Sequence, residues 1–256
     1  MDRLSYASFG VARFMMAIAV FFCHVFEKFN NYGFLFVGVF FFMSGYGMEK
    51  SSRRDQALLR LIPYLLFFVW YSFLYLFVFR VFPYPSSWFL VVYFLVMVLY
   101  RFIPNIYGLL WSFVALACLF VLLDFSWVWS ASYGAFLFGV FFARNSSSFT
   151  FKICLCLLPL SILLFLGAVP ALWCILPFFS YVVLSVSSLP VLRPLAYLGR
   201  YSYHFYCVHC FVLGIFGCTW TLGGSPEFWG VLLSFGLSVF FSMFFNDYLF
   251  RYPKIK

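Results

Sequence analysis

Arg13 and His24 stand in one apolar run, "ARFMMAIAVFFCHV" at residues 12–25. Arginine supplies a fixed charge and histidine a group that gains and loses a proton near neutral pH, so together they hold the parts of a proton-transfer site. An arginine at the centre of a bilayer costs roughly 2.5–3.5 kcal/mol even on the lenient insertion scale, and a deep ionisable residue is a functional candidate by default. Eleven residues at about 100° each make three turns plus roughly 20°, which puts the pair on one helix face about 16 Å apart along the axis. Ala17 and Val20 fall between them on that face. Arg13 also reads as a cation snorkelling to inner headgroups, and His24 as a hydrogen-bonding partner for a neighbouring helix.

A second polar stripe lies late in the chain. Ser202, Tyr206 and His209 are four and three residues apart, so a helix carries them on one face, where interhelical hydrogen bonding is the plainer reading. Ser44 and Gly45 form a small-residue step that either permits close helix packing or lines a passage. The eight cysteines all fall in apolar segments, and "CVHC" at 207–210 looks like half a metal site with no second pair at the required spacing. Packing as small buried hydrophobes is their expected role, with no metal.

The elements that must carry these residues follow from composition. The 256 residues are 66% hydrophobic and 9% charged and include 42 Phe, 18 Tyr and 8 Trp, more apolar surface than a soluble core of that size can hide. Long apolar runs without dyad alternation indicate helices instead of a barrel. The expected fold is all-α: a polytopic membrane bundle of about ten transmembrane helices near 8–26, 33–49, 61–82, 87–100, 106–123, 130–143, 152–168, 171–189, 201–221 and 228–250. The run near 130–143 is short for a crossing, which predicts a tilted, broken or re-entrant helix there. One membrane domain spans 1–256, with no soluble domain and no internal repeat.

The net charge of +9 is spread singly or in pairs along the loops, not gathered in the single stripe that binds nucleic acid. With both termini cytoplasmic, the inner loops hold Arg3, Lys50, Arg53, Arg54, Arg60, Arg101, Arg144, Lys152, Arg193, Arg200, Arg251, Lys254 and Lys256, and the outer side keeps Lys28 and Arg80. The first run lacks a small-residue cleavage site before Glu27 and reads as an uncleaved helix.

Several stretches, in order, resemble the acyltransferase type 3 family of integral membrane sugar O-acyltransferases. They are the Arg13 to His24 spacing, "VGVFFFMSGYGM" at 37–48, "LLRLIPYLL" at 58–66, "SSWFLVVYFLV" at 86–96 and "LGRYSYHFYCVHCFVL" at 198–213, with a weaker echo in "DYLFRYP". Ala57 stands where the family often has the first arginine of an Arg-x-x-Arg pair, leaving Arg60. The resemblance implies transfer of an acyl group, usually acetyl, from cytoplasmic acyl-CoA to a hydroxyl of a sugar or glycan at the membrane, and a bacterial inner membrane as the location. On that reading His24 is the catalytic imidazole, as general base or acyl carrier, and Arg13 supports it. Arg60, Ser44 and Gly45 serve the donor, and Ser202, Tyr206 and His209 orient the acceptor or the thioester. The rival readings are a transporter or flippase and a catalytically inactive relative.

Overall fold

The computed structural model describes residues 6–51, 61–80, 84–123, 128–144, 172–219 and 222–249. Among them every regular element is helical: α1 (Tyr6–Val25), α2 (Gly33–Lys50), α3 (Ile62–Phe79), α4 (Tyr84–Phe102), α5 (Ile106–Leu122), α6 (Val128–Arg144), α7 (Leu172–Ser187), α8 (Ser202–Ile215) and α9 (Phe228–Phe244). The protein is all-α. These helices coincide with nine of the ten expected segments; the tenth, 152–168, lies outside the described residues, as does Arg60.

By length and apolarity, the described helical stretches able to cross a membrane are Ala7–Val25, Ile62–Phe79 and Phe228–Tyr248, or four if a bent pair is one span. That pair is Phe179–Ser187 with Pro190–Ile215, which meet at 106°. Near 130–143, where a tilted, broken or re-entrant helix is expected, α6 runs through unbroken as one helix of 17 residues. A bend lies before Pro190, where a 3₁₀ run, Pro190–Tyr201, precedes α8. Pro190 and Pro194 lack the N–H groups an α-helical ladder needs, which explains the tighter winding. The expected helix at 201–221 is correspondingly shorter and ends at Ile215, after which the chain turns through Phe216 and Gly217.

Two backbone-to-backbone contacts hold the centre. A Cβ on Gly45 would lie 2.0 Å from the Phe136 carbonyl oxygen, and one on Gly139 would lie 2.1 Å from that of Phe42, so α2 and α6 touch at their main chains. Gly10 of α1 meets Gly199 of the 3₁₀ run in the same manner, a Cβ on Gly199 falling 2.0 Å from the Gly10 oxygen. Small residues allow this approach, which dispersion and close packing stabilise where no water is displaced. Around these contacts the core is aromatic and aliphatic, including Val20, Phe41, Phe67, Phe89, Phe136 and Tyr206.

One end of the bundle gathers polar and basic groups. Phe9 stacks on Tyr46, Tyr100 donates to Glu49 at 2.8 Å, and Arg144 pairs with the same carboxylate at 2.9 Å. Arg200, in the same end, lies over the rings of Tyr197 and Tyr201 and pairs with Asp247 at 3.2 Å. Asp247 sits in a π-helical turn, Phe245–Leu249, that extends α9.

Candidate functional site

The polar end opens into the bundle. A cavity of about 460 Å³ lies between the start of α1, the end of α2 and the start of α3, bordered by Arg13, Ser44, Tyr46, Ser51, Tyr64 and Tyr93. It shares Arg13, Ser44, Tyr64 and Tyr93 with a narrower cavity of about 90 Å³ that continues inward to Arg200, Ser202, Tyr203 and Tyr206. The larger cavity is within the size range of small-molecule sites. Ser44 donates to the Tyr93 hydroxyl at 3.1 Å, so the wall where the two meet carries paired hydroxyls on otherwise apolar helices.

α1 and α8 bring the expected residues to this passage in register. The Gly10–Gly199 contact sets the start of α8 beside the start of α1, so Ser202 and Tyr206 rise along the same seam as Arg13 and His24. Above the narrow cavity, the Tyr206 ring lies 5.8 Å from that of His209, and His209 lies 5.2 Å from His24. Arg13, Ser44, Ser202 and Tyr206 therefore border one passage, and the two imidazoles stand beyond its inner end. Ala17 and Val20, between Arg13 and His24, are buried as the face analysis requires.

The histidines differ in their partners. His209 Nδ1 lies 2.9 Å from the Phe205 carbonyl oxygen, which can only accept, so Nδ1 carries the proton and Nε2 keeps its lone pair. Cys210 Sγ lies 3.4 Å from that Nε2. His24 Nδ1 is shut off from solvent and has no hydrogen-bond partner.

Gly45 does not face the passage. Its α-carbon abuts Phe136 of α6, so the packing reading is the one its position carries. Six bordering residues, Tyr46, Ser51, Tyr64, Tyr93, Arg200 and Tyr203, were not singled out from sequence. Tyrosines blend into a chain with 18 of them, and Arg200 reads as one more basic loop residue. Cys210 belongs to the "CVHC" stretch, but its neighbour across the seam is His24 of α1, with His24, His209 and Cys210 ligand atoms all within 4.8 Å of one another.

No protein-family model, curated protein or solved structure matches the chain.

Proposed function

We propose that the chain is an integral membrane acyltransferase that moves an acyl group, acetyl being the simplest, from acyl-CoA to a hydroxyl of a sugar or glycan. One arrangement carries the reading: two adjoining cavities that share Arg13, Ser44, Tyr64 and Tyr93, with Tyr206 on their border beside a histidine pair. In this reading a thioester enters past Arg13 and Ser44 toward Tyr206. The resemblance of the Arg13 to His24 stretch and of 198–213 to membrane sugar acyltransferases points the same way.

In this mechanism His24 takes the proton of the acceptor hydroxyl as its oxygen attacks the thioester carbon. The carbon–sulfur bond breaks, and the leaving thiolate recovers the proton. Arg13, at the inner side, attracts the phosphate-bearing donor, with Arg60 as the further cation the family resemblance implies. Ser202 and Tyr206 hold the reacting groups in line, and His209 packs behind His24 to fix its ring.

The topology belongs to the same proposal: ten spans with the polar end, containing Lys50, Arg101, Arg144, Arg193 and Arg200, on the cytoplasmic side by the positive-inside rule. Single reporter cysteines at Ser51 and Ser188 should resist an impermeant thiol reagent applied from outside, and one at Ser225 should react. The reverse pattern would put the wide cavity outside and sink cytoplasmic donor entry. The activity is tested by incubating purified protein with labelled acetyl-CoA and membrane glycans. Label on glycan or protein, with release of free CoA, is the expected result; donor neither bound nor consumed would reject the reading. The 106° break before Pro190 gives a transporter its one specific support, because transporters build sites at interrupted helices. Glycan movement between leaflets without acyl transfer would favour that alternative.

A further inference from the structure

Beyond the passage, α1 and α8 bring three polar side chains into one knot. His24 of α1 and His209 and Cys210 of α8 converge with one ligand atom each, all three within 4.8 Å of one another. They lie on two helices held in register by the Gly10–Gly199 contact below.

We propose that His24, His209 and Cys210 form a buried binding site for Cu(I). The ligand set is soft: one sulfur and two imidazole nitrogens, the chemistry that selects Cu(I) or zinc over hard cations. The tautomer is already the ligating one. Phe205 takes the Nδ1 proton of His209 and leaves Nε2 with a lone pair directed at the Cys210 sulfur, the outer-shell arrangement metal-binding histidines use. His24, itself half-buried, contributes one ring nitrogen within 4.8 Å of the other two donors, and its Nδ1 is sealed from solvent without a hydrogen-bond partner.

Distance and charge narrow the ion. Donors about 2.0–2.3 Å from one ion and 120° apart lie roughly 3.5–3.8 Å from each other. Cys210 and His209 are already at about that spacing, 3.4 Å, and the His24 donor lies within 4.8 Å of both. Three donors suit a trigonal ion. Cu(I) with one thiolate and two neutral imidazoles has zero net charge, whereas Zn(II) leaves one positive charge in apolar surroundings made by Phe21, Phe205 and Phe235. Binding removes the Cys210 proton, so one proton is released per ion and affinity falls as pH falls.

The site has a consequence for the proposed reaction but does not depend on it. An ion on His24 takes the lone pair that would receive the hydroxyl proton, so Cu(I) occupancy and acyl transfer exclude one another.

The test uses the full chain, purified under reducing conditions and titrated with Cu(I) against the chromophoric chelator bicinchoninate. The chain should withdraw one equivalent. X-ray absorption at the copper edge should give one sulfur and two nitrogen neighbours. His24→Ala and Cys210→Ala should each weaken binding by more than the roughly 100-fold that loss of an outer-shell partner costs. Cys118→Ala, at an exposed cysteine remote from the knot, should change nothing. Failure to withdraw copper, an all-sulfur shell or unchanged affinity in Cys210→Ala would each overturn the site, and Zn(II) bound as tightly as Cu(I) would overturn the ion. The absorption measurement uses unmutated protein, so a misfolded variant does not block the decision. Copper is measured without acyl donor: an active enzyme that binds none rejects this proposal alone, and a copper-binding chain with no transfer rejects the acyltransferase reading alone.

Discussion

Helices α1 and α3 are close in length and both apolar enough to cross a bilayer, yet 67% of the α1 window is buried by other helices and 17% of the α3 window. α1 carries Arg13 and His24; α3, Ile62–Phe79, has no ionisable group except the phenols of its tyrosines. The difference shows what the costly residues require. An ionisable side chain is tolerated in a helix that other protein surrounds, where polar neighbours and a cavity replace water, and a lipid-facing helix does without one. Phe73 and Phe77 of α3 are 70% and 73% exposed, which suits a hydrocarbon neighbour.

The largest effect should come from α1. His24→Ala is expected to lower acyl transfer by about 10²–10⁴-fold, the usual cost of losing a proton carrier, with insertion intact. His209→Ala should retain residual turnover, because its place is behind His24. Normal turnover in the first variant beside a dead second one would move the chemistry onto α8 and break the contrast at its strongest point.

Within α3 the contrast becomes a test of faces. Phe67 is fully buried against Tyr203, His204 and Phe245, so Phe67→Ala leaves a cavity and should cost about 3 kcal/mol. Phe73→Ala should cost only a few tenths of that, since its ring meets lipid before and after assembly. Thermal unfolding in detergent separates the two; equal losses would mean that α3 is covered on both sides. A smaller effect is expected at the α2–α6 crossing. Gly45→Val forces the backbones apart for roughly 1–3 kcal/mol, whereas Gly236→Ala, with open space around its α-carbon in α9, should be neutral or stabilising by up to about 1 kcal/mol. The smallest effect belongs to the half-exposed Arg144–Glu49 pair, where Arg144→Ala should lose about 0.2–1 kcal/mol and less in high salt.

How much of this was legible beforehand depends on whether the information was local. Apolar runs announce helices, and α1, α2, α5 and α9 start and stop within a few residues of their expected limits. The spacing of Arg13 with His24, and of Ser202 with Tyr206, placed them correctly because helical periodicity is a property of one segment. Two features were not local. The kink before Pro190 hides in a polar stretch whose prolines mark a boundary without giving an angle. The meeting of Cys210 with His24 depends on the rotation of α8 against α1, which neither helix states alone; a search for cysteine pairs along the chain passes over a histidine some 190 positions earlier.

That separation also imposes an order on biosynthesis. α1 leaves the ribosome first, while the 3₁₀ run and α8, which supply Gly199, Tyr206 and His209, follow after most of the chain has been made. At 5–20 residues per second, α1 waits roughly 10–40 s for them. In a membrane-inserted chain, Arg13 and His24 would spend that interval with none of the α8 groups that later adjoin them. A nascent helix of this kind is best kept near the insertion machinery until its late partner emerges. Release before α8 is synthesised would expose the two most polar positions of α1 to lipid and mark the unfinished chain for quality control.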